Sequence, residues 1–185
     1  RVHPQWEPDE PYYGNDSTLA PRDVAAEGQL WMEEMALERA QAERPVSIIR
    51  ASNVQGVHID GSEANGLLHK WAQECMMGWV NVPGDGSGVK DFVHVQDLAA
   101  VIGAVLENPP LTRESMAVGS GKAISMNDLG GIFNQKSGCE LELGQDESQE
   151  VFGVVDARDL EMRLGFSPQI SLEEMLGEAF EFAGH

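Results

Sequence analysis

The sequence predicts an α/β fold with parallel strand pairing, and three observations carry that reading. Short β-branched runs alternate with helical stretches along the chain. Hydrophobic residues make up 42% of the 185 residues, enough to build a packed core. Breaker clusters such as Asn108-Pro109-Pro110 and Gly165-Phe166-Ser167-Pro168 separate the periodic segments.

The elements follow in order. Residues 1–23 are rich in Pro, Asp, Glu and Tyr and read as a long irregular segment. Asp23 is placed to cap a helix spanning Val24–Glu43, with Leu30, Trp31, Met35 and Leu37 as an apolar stripe. Pro45 ends that helix. Val46-Ser47-Ile48-Ile49-Arg50 then reads as a buried strand, and 51–63 as a polar loop. A helix is expected over Ala64–Met77, with Gly78 suited to its C-terminal cap. Trp79–Val82 is a strand, Pro83–Gly88 a turn, and Lys90–Val95 an alternating strand. Asp97 reads as the cap of a helix running through Leu106. Met116–Val118 is a strand entering Gly119-Ser120-Gly121, and Ser125 caps a helix from Met126 to Lys136. Leu141–Leu143 and Val151–Val155 are extended. Helices follow at Ala157–Leu164 and Leu172–Phe182, the second capped by Ser171. There is no internal repeat and no low-complexity linker, so a single domain is expected.

Charge excludes some partners. The chain carries 31 acidic against 12 basic residues, a formal net charge of −19. Such a surface repels phosphate backbones and acidic membrane surfaces, so neither nucleic acid nor membrane is an expected partner. No apolar run is long enough to span a bilayer. The first residues, Arg1-Val2-His3-Pro4, hold no apolar signal core, which makes the cytoplasm the expected location. Cys75 and Cys139 stand far apart, in neither a CxxC nor a Cys/His cluster. Neither a disulfide framework nor a zinc site is expected, and Cys75 reads as a core residue. No spacing of His, Cys, Asp and Glu suggests any other metal.

Four segments carry a resemblance. Pro45-Val46-Ser47-Ile48-Ile49-Arg50-Ala51-Ser52-Asn53-Val54-Gln55-Gly56 resembles a strand and loop of the form PVxIxRxxNVYG. Gly84 to Ala99 resembles GDGxxxRDFVHVxDLA, and Val118 to Ser125 resembles NIGSGxxxS. Asp156 to Glu174 resembles a terminal DxSKAxxxLGWxPxxSLEE. In this order, over roughly residues 45–182, they resemble the C-terminal half of an extended short-chain dehydrogenase/reductase of the NAD-dependent epimerase/dehydratase kind. The resemblance implies a truncated Rossmann-like sheet bearing the family's C-terminal substrate-binding lobe. Residues 1–56 and about 84–110 would be the remnant of the Rossmann half, and the remainder the small lobe.

The resemblance also shows departures. The family opens with a GxxGxxG turn between a strand and a helix, which seats the pyrophosphate of NAD or NADP. No such turn occurs here, so no cofactor is expected. The missing part would be three or four βα units, on the order of a hundred residues. Gly84–Gly88 sits before a strand, and Gly119-Ser120-Gly121-Lys122 lacks the first Gly and the Ser/Thr of a P-loop. The family's catalytic YxxxK lies on the helix before the PVxIxR strand. Counting back from Pro45 places those positions near Ala25 and Gln29, and no Tyr or Lys occurs between Tyr13 and Lys70. Alanine and glutamine carry no titratable proton, so the usual proton and hydride step has no acid/base pair.

The remaining candidates for chemistry are few. Lys90 occupies the place of the family's diphosphate-binding Arg, Asn53 that of its substrate-side Asn, and Asp85 lies in the turn preceding Lys90. The loop 144–150, where a second phosphate-binding Arg is implied, is acidic and would repel a diphosphate. His58 and Asp60 share a loop, and Tyr12 and Tyr13 precede the helix as stand-in acids. Asp91 and His94 lie on one strand at a spacing that points them to opposite faces. Three functions are consistent with this. One is a redox-inactive epimerase/dehydratase-like protein with a small-molecule cleft, serving a cyclisation or isomerisation. Another is a non-catalytic partner subunit that completes another chain's fold. The third is part of an NAD-dependent nucleotide-sugar epimerase or dehydratase. If the chain is an enzyme, a non-redox isomerase or cyclase is expected ahead of an oxidoreductase. A homodimer or an obligate protein partner is expected, because Val46–Ile49 would be an unprotected apolar edge.

Overall fold

The computed structural model of the chain describes residues 2–4, 12–13, 19–21, 24–57, 64–144 and 153–184. Three short strands, β1 (Val2–Pro4), β2 (Tyr12–Tyr13) and β3 (Leu19–Pro21), precede α1 (Val24–Glu38). Strands β4 (Val46–Ala51), β5 (Asn53–Val57) and β6 (Ala64–Asn65) lead into α2 (Leu67–Met76). Next come β7 (Trp79–Val82), β8 (Val89–Lys90), β9 (Phe92–His94) and α3 (Val95–Glu107). Then follow β10 (Arg113–Val118), β11 (Ile124–Ser125), α4 (Met126–Ser137) and β12 (Glu140–Leu143). The chain closes with β13 (Val154–Val155), α5 (Ala157–Leu164) and α6 (Leu172–Ala183).

The parallel pairing expected from the alternating pattern is present. β4 pairs with β10 over six residues, Val46 opposite Arg113 and Ala51 opposite Val118. β5 runs parallel to β9, β7 to β12, and β2 to β13. Antiparallel pairs join β1 to β3, β5 to β6 and β8 to β11. Among the described residues β4 has a hydrogen-bonded neighbour on one side only.

Two hydrophobic cores result. The first packs β9, α3, β10 and α5 through Val93, Val101, Val105, Met116, Val118 and Leu160. The second packs α2, β7, α4 and α6 around Trp71, whose ring meets Phe133 edge-on at 5.6 Å. Trp71 is fully buried, so Trp71→Ala would cost about 3–5 kcal/mol in lost contacts and cavity. A buried carboxylate helps to position the last helix. Asp97 of α3 accepts from the backbone N–H of Gln169 and of Ile170, each at 3.0 Å, and fixes the segment that enters α6.

The segment 51–63 read as a loop holds the strand β5, which pairs with both β9 and β6, and three helix boundaries also differ from the sequence reading. α1 stops at Glu38 instead of Glu43, and Gln41 and Arg44 close a tight turn by exchanging backbone bonds. Pro45 forces Arg44 out of helical geometry, and the chain must reverse to enter β4. α2 begins at Leu67, because Ala64 and Asn65 pair with β5. α3 begins at Val95, so Asp97 lies in its first turn. The cap is His94, whose ring Nδ1 accepts from Gln96 N at 3.2 Å.

The cysteine expectation is also corrected. Cys75 and Cys139 are joined as a disulfide, with Cα atoms 5.1 Å apart and a sequence separation of 64. A two-cysteine chain gives no spacing signal for such a pair; α2 and β12 bring it together in space. The core position read for Cys75 holds, as both cysteines are buried.

Candidate functional site

The carboxyl ends of β4 and β10 meet the amino ends of β5 and β9 at one point, around Asp91. Asp91 is fully buried at the entry to β9. One carboxylate oxygen accepts from Ser120 N at 2.9 Å and Ser120 Oγ at 2.6 Å. The other accepts from Gly121 N and Val155 N, each at 3.1 Å. Burial pushes the Asp91 carboxyl above its ordinary range, and the Ser120, Val155 and Gly121 donors pull it back part of the way. With both oxygens engaged by donors, Asp91 clamps three segments together and has no lone pair directed at a substrate.

This clamp explains Gly119. A Cβ on that residue would fall 2.5 Å from an Asp91 carboxylate oxygen and 2.7 Å from a Val155 methyl, so only glycine fits. It also explains Asn53, whose side-chain amide donates to the Asp91 carbonyl oxygen at 2.9 Å. The Asn53 amide therefore bonds nearby backbone, one of the two uses open to a loop asparagine. Lys90, immediately before Asp91, is 8% exposed and sits opposite Ile124 in the β8–β11 pair. Asn53 thus bonds the backbone of Asp91, and Lys90 adjoins Asp91 along the chain.

Asp85 belongs elsewhere. Its carboxylate accepts from Ser87 N at 2.7 Å and its carbonyl from the Asn127 side chain at 3.0 Å. Both bonds shape the Pro83–Gly88 turn against the start of α4. His94 is separate from Asp91, as the strand alternation requires. Because its Nδ1 accepts from Gln96, its ring hydrogen lies on Nε2 and is donated to Glu178 Oε2 at 2.9 Å. This bond ties β9 to α6. His58 and Asp60 lie outside the described residues, as do the side chains of Tyr12 and Tyr13.

Ser52 is a residue that sequence reasoning missed. It links β4 to β5, and its N–H donates to Val118 O at 2.8 Å. Its hydroxyl oxygen is buried and has no hydrogen-bond partner among the described residues. Gln55 was also missed. It stands where the motif has tyrosine, and its Oε1 accepts from Leu68 N at 3.0 Å, serving one of the free donors at the start of α2. The signal for Gln55 was a polar residue in a β run followed by a helix without a side-chain cap.

Neither glycine-rich turn among the described residues offers the free donors of a dinucleotide pyrophosphate site. That group needs free backbone N–H donors at a glycine-rich turn between strand and helix. The N–H groups of Ser120 and Gly121 are already taken by Asp91, and Gly84–Gly88 precedes β8 without a following helix. Positions 25 and 29 lie exposed on α1, which contains neither Tyr nor Lys. No group of three or more His, Cys, Asp or Glu that could hold a metal occurs among the described residues. No described helix is long and apolar enough to cross a membrane.

Parallel strands with flanking helices, and a loop–strand junction at their carboxyl ends, define a Rossmann-like α/β chain. The NAD dependent epimerase/dehydratase family matches residues 3–119, and the chain belongs to that family. UDP-glucose 4-epimerase GEPI42 of Cyamopsis tetragonoloba is 23% identical over 205 residues, covering 97% of this chain and 57% of that protein. The structure of MoeE5 in complex with UDP-glucose and NAD superimposes with a TM-score of 0.79 at 23% identity, over 91% of this chain and 58% of the other. Pal from Bacillus thuringiensis superimposes with a TM-score of 0.83 at 19% identity, over 99% of this chain and 59% of the other. The chain spans little more than half the length of these proteins.

Proposed function

We propose that this chain is a redox-inactive member of its family. It keeps a small-molecule cleft at the carboxyl ends of β4 and β10 and serves a non-redox step, an isomerisation or cyclisation. The observation that carries this reading is the absence of Tyr and Lys from α1, the helix that leads into β4. Without a phenol and a neighbouring ammonium, a sugar hydroxyl has no group there to take its proton. The cleft is placed by general topology: open α/β sheets bind ligands outside the carboxyl ends of their strands.

The test pairs two measurements on the purified chain. Calorimetry with NAD or NADP is expected to show no binding heat. Incubation with NAD and UDP-glucose is expected to yield none of the 4-epimer, as read by chromatography of the nucleotide sugars. Micromolar dinucleotide binding, or formation of the 4-epimer, would overturn the reading and favour part of an NAD-dependent nucleotide-sugar epimerase.

A second reading is favoured by one specific observation. β4 has a hydrogen-bonded neighbour only in β10 among the described residues, and all six of its residues are half-buried. In this reading the chain completes its sheet with another polypeptide, as a homodimer or as the obligate partner of a second chain.

A further inference from the structure

We propose that β12 is a docking edge for an extended segment of another protein, one that alternates apolar and basic residues and adds a further strand beyond β12. This inference does not depend on the cleft reading. β12 pairs with β7 alone among the described residues, so its outer edge is open. The bonds from Glu140 N to Gly78 O and from Gly144 N to Val82 O fix which backbone groups face β7. In a parallel ladder such groups recur at every second residue. The N–H and C=O of Leu141 and Leu143 therefore point away from β7, and all four residues of β12 are exposed.

The side chains define what the added strand must carry. Glu140 and Glu142 share one face of β12, and neither forms an ion pair among the described residues. Leu141 and Leu143 share the other face. Leu141 lies beside Gly130 of α4, and Leu143 is 61% exposed. Open edges are commonly guarded by charge, with lysine the favoured guard. The guard here is acidic, so it selects by sign. A second copy of this chain would set glutamates against glutamates, and each copy carries a formal charge of −19. A segment with Lys or Arg at alternate positions places those cations against Glu140 and Glu142. Its intervening apolar residues then lie beside Leu141 and Leu143, and its backbone takes the outward N–H and C=O groups.

The probe is a synthetic peptide of alternating valine and lysine, compared by calorimetry at physiological salt with the same residues in block order. The alternating peptide is expected to bind at least about 10-fold more tightly. Leu143→Pro removes one outward N–H while leaving the net charge and the bonds to β7 in place. This variant is expected to bind the alternating peptide at least about 10-fold more weakly, the value of one hydrogen bond. In the unmodified chain the Leu141 and Leu143 amides are expected to gain protection from hydrogen exchange when the peptide binds. Equal affinity for the two peptides, or of the two proteins for the alternating one, would reduce the effect to charge attraction and overturn the proposal. Absence of binding, or binding without protection of those two amides, would overturn it as well. The exchange measurement decides the matter if the proline variant does not fold.

Discussion

Asp91 and Ser120, 29 residues apart in sequence, share one carboxylate oxygen through two bonds, from the Ser120 N–H and from its hydroxyl. With Gly121 and Val155 on the other oxygen, one buried side chain joins the entry of β9, the loop after β10, and β13. Asp91→Asn puts an NH2 group against one of those donor pairs. We expect a loss of about 3 kcal/mol, or a melting temperature lower by about 6–12 °C, measured by thermal denaturation. Ser120→Ala removes one hydroxyl donor and is expected to cost less, about 1 kcal/mol.

Two glycines separate close approach from mere flexibility. Gly119→Ala forces a Cβ against the Asp91 carboxylate and Val155, and is expected to destabilise the chain by at least about 2 kcal/mol. Gly131 is exposed within α4, and a Cβ added there would meet nothing within 4 Å. Gly131→Ala should therefore stabilise the chain, by about 0.5–1 kcal/mol. Urea unfolding of both variants provides the comparison.

Acid should loosen the C-terminal helices first. Ser171 and Glu174 cap α6 reciprocally, and those bonds hold the Glu174 carboxyl below its ordinary range. At the start of α5 the Arg158 side chain does the same for Asp156. A carboxyl depressed in the folded state contributes stability above its unfolded pKa and loses it as pH falls through the folded value. Asp91 has the opposite sign. Its raised pKa favours the folded state below the unfolded value, and that benefit disappears as pH rises through the folded one. Below about pH 4, amide exchange at 157–164 and 172–183 is expected to accelerate ahead of the β4–β10 pair. Uniform acceleration across all these segments would contradict this assignment.

The Cys75–Cys139 link closes a long loop and constrains the unfolded chain. For a loop of this length the expected contribution is about 4 kcal/mol. Reductant should lower the melting temperature by about 8–16 °C, and Cys75→Ser/Cys139→Ser should remove the reductant effect. Alkylation of both thiols under denaturing, non-reducing conditions would show that the link does not persist in solution.

The partner prediction concerns α1. Trp31 is 62% exposed and Met32 60%, on the helix whose Glu33 pairs with Arg50 of β4 at 2.8 Å. Tryptophan and methionine are favoured in interface cores. We expect light scattering at low micromolar concentration to report a dimer or larger species, and Trp31→Glu with Met32→Glu to dissociate it or make it insoluble. A monodisperse 20.2 kDa species from the unmodified chain would count against this.

Local chemistry was legible in the sequence, and long-range chemistry was not. Ser171, three residues before Glu174, announces the start of α6, and Gly165 the end of α5, because each cap acts within one turn. Asp97 looked like a cap because aspartate ordinarily is one. Its true partners, Gln169 and Ile170, lie 72 and 73 residues away, and His94 took the capping role. The Cys75–Cys139 link is hidden for the same reason. At the site, Asn53 and Lys90 could be named from their motif positions. The carbonyl that occupies Asn53 and the orphaned hydroxyl of Ser52 depend on how β4, β9 and β10 come together.

The parallel pair of β4 and β10 carries a consequence for synthesis. Val46 lies opposite Arg113, an offset of 67 residues, repeated along the ladder to Ala51 and Val118. A ribosome adding about 5–20 residues per second needs on the order of 3–13 seconds to produce the partner after β4 itself is complete. During that interval the Val46-Ser47-Ile48-Ile49 run is out of the exit tunnel or nearing it without its mate, and carries no charge or proline to discourage pairing with another nascent chain. This segment therefore adds to the burden on co-translational chaperones. Slowing translation across residues 52–112 would lengthen the exposure, and speeding it would raise the yield of folded chain.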